Sequence, residues 1–147
     1  MQFGKSIDEI EIGDKASISK TFTEADVIMF AGITGDFTAY HLDEEEAKKS
    51  IFGARTVHGM LTASLVTTVC SHYLPGAGSF GVDVYFKLVA PVYIGDTVTA
   101  WVEVVEKNVA KNRIKVKLRF VNQHGREVLV GESWCVPPRK QDTGLQS

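Results

Sequence analysis

The chain has little cysteine, little proline and no excess of either charge. There are two cysteines in 147 residues, Cys70 and Cys135, both among apolar neighbours. They supply no disulfide framework and no metal-ligand spacing, so buried free thiols in a reducing cytosol are expected. Four prolines are too few for a proline-rich linker. Sixteen basic and eighteen acidic residues, interspersed to a net charge of −2, leave no basic footprint for nucleic acid or an anionic membrane. No window reaches the roughly 18 uncharged apolar residues of a membrane span. The apolar run over 58–74 is the longest, and Thr, Ser and His interrupt it. Met1–Ser6 has no hydrophobic core of a secretory signal, so a cytoplasmic protein is expected. Internal repeats and low-complexity linkers are absent too.

What is present fits one ordinary domain with a sizeable core. Residues 1–136 carry the periodic pattern, and 137–147, PPRKQDTGLQS, read as a loose tail. Residues 7–14 look extended and close on Gly13-Asp14, and 15–22 alternate as a strand. Thr23 with Asp26 three residues on forms an acidic capping box, opening a helix expected to end near Ala31 and stop at Gly32. Gly35–Tyr40 is aperiodic and reads as a loop. Asp43 is a second N-cap, with Glu44–Glu46 in the first turn and Lys48-Lys49 in the last, which opposes the helix dipole at both ends. Residues 50–57 form another loop. From Gly59 to Tyr73 apolar residues cover most of a helix circumference, the pattern of a buried helix about 22 Å long. Pro75-Gly76-Ala77-Gly78 ends it.

The second half changes period. Phe80, Val82, Val84, Phe86 and Leu88 alternate. Val98–Val104 and Ile114–Phe120 do the same, and Val128, Val130, Trp134 and Val136 stand in phase. Short links at 91–96, 107–112 and 123–126 predict three consecutive antiparallel hairpins. One apolar sheet face and one apolar helix predict an α+β domain, a curved antiparallel sheet wrapped around one long central helix. Sheet on one side cannot bury such a helix entirely, so a homodimer or a dimer-based higher oligomer is expected.

The chemistry concentrates between Phe30 and Leu74. Asp36 and His41 stand five residues apart in a short loop, and His58-Gly59 opens the apolar helix. GDFTAYHLD followed by VHGM resembles the MaoC-like (R)-specific enoyl-CoA hydratase family, which carries G-D-x-N-P-x-H-x-D and a downstream V-H-G-M. LPGAGSF, YFKLVAPVYIGDTVTA and VGESW fit that family as well, so the resemblance covers about residues 12–136. It implies a hot-dog homodimer whose overhanging helix-loop segment carries the active site. It also implies (R)-specific hydration of trans-2-enoyl-CoA to (R)-3-hydroxyacyl-CoA, or the reverse dehydration. On that reading Asp36 is the general base. His41 orients the water and shares the proton transfer, and the Gly59 N–H holds the thioester oxygen. The family's Asn-Pro is Thr38-Ala39 here. Thr38 can replace the local hydrogen bonding of Asn, but nothing replaces the stiffness of Pro.

Phe37, Tyr40, His58, Arg55 and Lys87 are candidate substrate contacts, the last two for CoA phosphates together with Lys111. Phe30 and Phe52 are further candidates for the acyl chain. The carrier is CoA or an acyl-carrier thioester, and no cofactor or metal is expected. Each residue also has an ordinary structural reading. Asp36 can be a turn residue and His41 a satisfied histidine. His58 can simply shape the helix start, Ser64 and Thr67 can bond backbone carbonyls, and His72 and His124 suit structural or exposed positions. Two other functions fit the same fold: an acyl-CoA thioesterase, and a non-catalytic acyl-thioester binding domain.

Overall fold

The computed structural model describes residues 3–140. A short 3-10 turn, Ile7–Glu9, leads into β1 (Lys15–Thr21). Helical segments follow: α1 (Glu24–Thr34), α2 (Ala39–Leu42), α3 (Glu44–Lys49) and α4 (Gly59–Ala63). Then come α5 (Leu65–His72), β2 (Phe80–Gly81), β3 (Tyr85–Leu88), β4 (Thr97–Asn108), β5 (Arg113–Val121) and β6 (Glu127–Val136).

The capping signals act as read. Thr23 Oγ1 accepts from Asp26 N–H and the Asp26 carboxylate accepts from Thr23 N–H. Asp43 Oδ1 accepts from the N–H groups of Glu45 and Glu46. The end of α1 differs from expectation. The helix runs through Gly32 and stops at Gly35, whose φ of 78° is the left-handed closure and whose N–H bonds the Ala31 carbonyl at 2.8 Å. Gly32 has no special backbone to supply, so it costs the helix a little propensity without ending it.

All the strands join one antiparallel sheet in the order β1-β4-β5-β6-β2, with β3 also on β6. The alternation in β4 and β5 translates directly. Val98, Ala100, Val102, Val104, Ile114, Val116, Leu118 and Phe120 are buried on one face, and cross-strand pairs such as Val102↔Leu118 fix the register. Two expectations fail. The 80–88 segment is not hairpinned to β4: it pairs with β6, and β1 takes the other side of β4. Residues 89–96 instead cross past the start of α4, where Val57 N–H bonds the Val92 carbonyl at 2.7 Å. The phase of β6 is also reversed. Register breaks between Phe120 and Val121, so that Phe120 faces Leu129 while Val121 faces Glu127. The extra residue, Val128, shifts the pleat by one. Leu129, Gly131, Ser133 and Cys135 therefore face the core, and Trp134 lies on the outer face with Lys115 Nζ 5.1 Å from its ring centroid.

The 80–88 strand is interrupted at 82–84. Asp83 enters the ladder there: its carbonyl accepts from Ser133 Oγ at 2.6 Å and its carboxylate from Trp134 N–H at 2.9 Å. The central helix is likewise two segments. Ser64 Oγ donates to the Leu61 carbonyl and Thr67 Oγ1 to that of Ser64, the back-bonding that bends helices. Leu65, Val66, Val69 and Cys70 enter the core, with α5 against β1, β2 and β4. The opposite strip, Met60, Ser64, Thr67 and Ser71, is exposed, so the helix is not apolar all round. Cys70 and Cys135 are both free and buried. Pro137 and Pro138, assigned from sequence to the tail, are buried as well, and Asn112 Nδ2 donates to the Pro137 carbonyl. Tail residues 141–147 lie outside the described residues. No helix among the described residues is long and apolar enough to cross a membrane.

Candidate active site

The α1–α2 loop and the start of α4 lie together along a cleft of about 750 Å³. Asp36, His41, His58 and Gly59 line it on one side, and the crossing segment Leu88–Val92 closes the other. Phe30, Tyr40, Phe52 and Met60 give it apolar walls. Ligand-type atoms of Asp36, His41 and His58 all lie within 4.8 Å of one another.

Asp36 sits just past the left-handed Gly35. Its Oδ1 accepts from Thr38 twice, from the hydroxyl at 2.6 Å and the backbone N–H at 3.2 Å. These two donations, the hydroxyl first, hold its carboxyl below the ordinary carboxylate value, with the neighbouring imidazoles adding to the effect. The carboxylate is about half exposed, and its Oδ2 lies 4.0 Å from His58 Nε2. Thr38 thus supplies the local hydrogen bonding expected where the resembling family has Asn. The backbone at 39 is set by a single helical turn, α2, instead of by a proline ring.

His41 is carried on that turn and is 6% exposed. Its Nδ1–H donates to the Thr56 carbonyl at 2.7 Å. That bond fixes the ring and leaves Nε2 as the acceptor. Burial lowers the His41 pKa below its ordinary value, and the Thr56 bond offsets this only in part. Thr56 acts mainly through its backbone carbonyl, with its Oγ1 3.3 Å from the same Nδ1.

His58 stands at the N-cap of α4 but makes no side-chain cap bond to the helix. Its Nε2–H donates to the Asp36 carbonyl at 3.0 Å, and its ring stacks on His41 with centroids 3.9 Å apart. With His58 Nε2 engaged on one carbonyl and His41 Nδ1 on another, Asp36 Oδ2, His41 Nε2 and the buried His58 Nδ1 are left without a hydrogen-bond partner.

Gly59 is the first residue of α4, so its N–H has no partner within the helix. A Cβ at Gly59 would run into Leu88 Cδ1, so side chain already presses close to this backbone. The remaining candidates spread out. Tyr40 lines the cleft and packs on His41 and Phe52. Phe37 is 62% exposed and is not part of the cleft wall. Arg55 bridges elsewhere: Nε–H donates to the His41 carbonyl at 2.9 Å and Nη1–H to Glu24 Oε1 at 2.7 Å. Lys87 pairs across from Val130 on the sheet's outer face, away from the cleft. Thr34 and Thr62 also line the wall; both sit in ordinary helical contexts that a sequence reading cannot single out.

Residues 8–124 match the model of a MaoC like domain. An (R)-specific enoyl-CoA hydratase of Aeromonas caviae is 40% identical over 130 residues, 87% of this chain and 96% of that one. A 3-hydroxybutyryl-CoA dehydratase of Methylorubrum extorquens is 35% identical over 136 residues, 92% of this chain and 85% of that one. Among solved structures, the unliganded R-hydratase PhaJ1 of Pseudomonas aeruginosa superposes with a TM-score of 0.88 at 33% identity, covering 93% of this chain and 88% of that one.

Proposed function

Since this chain belongs to the MaoC-like domain family, we propose that Asp36, His41 and Gly59 carry the (R)-specific addition of water to trans-2-enoyl-CoA, and its reversal. The chain is a hydro-lyase of the hot-dog fold, alike in sequence to enoyl-CoA hydratases and 3-hydroxyacyl dehydratases. The observation that carries the residue assignment is the convergence of a carboxylate and an imidazole on one cleft that also contains a helix-start amide.

Hydration puts the oxygen of water on Cβ and a proton on Cα. Asp36 is ionised at neutral pH and keeps Oδ2 free, so it draws a proton from the water as general base. His41 Nε2 accepts the second O–H, which aligns the oxygen with Cβ. The proton taken from the water is held within the dyad and returned to Cα, so the elements of H₂O are added with no net proton uptake. Negative charge builds on the thioester oxygen as Cβ is attacked. The Gly59 N–H, at the positive end of α4, stabilises it. The reverse sequence eliminates water. Every donor and acceptor in this scheme belongs to the chain or to water, so it uses no cofactor. The two buried thiols suit a reducing cytoplasm.

The assembly proposed is a homodimer. Beyond β6 the sheet ends in the short strands β2 and β3, and Phe80, Val82, Val84, Tyr85 and Leu88 along them are all exposed. An unpaired edge lined with apolar side chains is what a second copy would cover.

The test is turnover of crotonyl-CoA by the pure protein, followed as loss of the enoyl-thioester absorbance. Asp36→Asn and His41→Ala, shown to be folded by circular dichroism, are each expected to lower kcat by at least about 10²-fold. Wild-type turnover in folded Asp36→Asn rules out the role given to Asp36.

A further inference from the structure

His58 joins the two halves of the dyad in a way that its position at a helix start does not require. We infer that it is the positioning residue of this site: its Nε2–H and its ring set Asp36 and His41 relative to one another. The inference rests on the assignment of proton transfer to Asp36 and His41, and it goes beyond that assignment by naming what holds them together.

Four observations carry it. First, His58 is an N-cap whose side chain does no capping. N-cap side chains ordinarily satisfy a free N–H of the first turn; this one is turned away from its own helix. Second, Nε2–H reaches the Asp36 carbonyl at 3.0 Å, across 22 residues of sequence. The other side-chain bonds around Asp36 come from Thr34 and Thr38. They order the loop internally but do not tie it to the rest of the site. Third, the same ring lies against His41, 3.9 Å between centroids and 26° from parallel, with Phe30 packed on it at 4.9 Å. The imidazole therefore touches both members of the dyad at once. Fourth, the residue is 2% exposed and its Nδ1 is buried without a partner. An unpaired buried nitrogen is destabilising, and an aromatic hydrocarbon of similar shape would avoid it. Phenylalanine would keep the stacking and lose only the Nε2 donor. The donor is thus the feature that a histidine supplies here, and the carbonyl of Asp36 is what it serves.

The consequence is specific. Without the donor the loop loses its tether to α4, and the Asp36 carboxylate is no longer held against His41. Displacements near 1 Å at a reacting group lower rates by up to about 10²-fold. Binding of the acyl chain and carrier along the rest of the cleft does not depend on that tether, so the loss belongs in kcat.

The test compares three variants at His58 in the full-length protein. Gln keeps an N–H donor of comparable reach without the ring; Met matches Gln in length and has no donor; Phe keeps the ring and has no donor. With crotonyl-CoA as probe, His58→Phe and His58→Met are expected to lose about 10–10²-fold in kcat, with KM changed by less than about threefold. His58→Gln is expected to stay within about fivefold of wild type. Thermal melts establish folding, and if Phe does not fold, the Gln and Met pair alone carries the comparison. Wild-type kcat in His58→Met or His58→Phe overturns the inference. So does equal loss in Gln and Met, which would leave only the ring, and so does a loss confined to KM, which would make His58 a substrate contact. Asp36→Asn, assayed alongside, separates the two levels: full activity there overturns the dyad itself, whatever the His58 variants do.

Discussion

Histidine 41 is the residue whose environment most directly shapes behaviour with pH. Burial holds its pKa below the ordinary value of 6.5. As the unfolded chain is acidified through that value it takes up a proton that the native site resists. Where the unfolded state binds more protons, stability rises with pH. Stability contributed here is therefore complete above the unfolded pKa and is lost as pH falls towards the lower folded one. Activity follows the same sign, because Nε2 must be an acceptor. The acid limb of kcat/KM is expected to lie below pH 6.5, and the melting temperature of wild type to fall with pH over that window more steeply than that of His41→Gln. An acid limb above the ordinary histidine value would contradict this environment. At this scale the sequence was informative about side chains and silent about backbone. Asp36 and His41 were legible because their spacing and the downstream His-Gly resemble a known pattern. The Thr56 carbonyl, which fixes the imidazole, leaves no mark in the sequence because every residue type carries one. Arg55 and Lys87 are the opposite case, side chains that stand outside the cleft lining. A cation is easy to assign to a phosphate by type, but Arg55 is bound to Glu24 and the His41 carbonyl, and pleat parity puts Lys87 on the outer face.

Elements were legible where their signals were local and misread where a neighbour decided. Thr23 and Asp43 cap as their spacing predicts, because a cap needs only its own first turn. The phase of β6 was not readable, since a one-residue bulge opposite Phe120 resets it. The break in the central helix comes from two hydroxyls that bond back to carbonyls, a choice that propensity does not fix. The start of α4 permits a sharp prediction. The Cβ of Gly59→Ala would meet Leu88 Cδ1, the far end of a flexible and 53% exposed side chain that can move aside. Stability is therefore expected to change by less than about 1 kcal/mol, as for surface-tolerated substitutions. Activity is expected to fall by about 10²-fold or more if the thioester oxygen must approach this N–H. A melt and a progress curve on the same sample separate the two. Gly131 is the contrasting case, because a Cβ there would meet the backbone of Tyr85 and Phe86. Gly131→Ala is expected to cost about 1–3 kcal/mol by overpacking, read as a lower denaturation midpoint at unchanged slope.

For the whole molecule, the sheet-around-helix architecture was legible because two periods, one of 3.6 and one of 2, divide the chain cleanly. The order of strands was not, because hairpin logic joins sequence neighbours, whereas residues 89–96 carry the chain across the sheet. The exposed edge over 80–88 is where a second copy is expected. Val84→Lys places a charge in that edge. The mutant is expected to move from twice 16.1 kDa to 16.1 kDa in light scattering behind size exclusion, and an unchanged mass would remove this edge from the interface. The same stretch has a second duty. Leu88 ends β3 and leans over Gly59, and Val89–Val92 form the far wall of the cleft. The seam between subunits and the roof of the reaction chamber are then one piece of chain. On that footing specific activity depends on how much protein is in the cuvette. Diluted until the pair separates, the enzyme would slow with every side chain of its dyad intact.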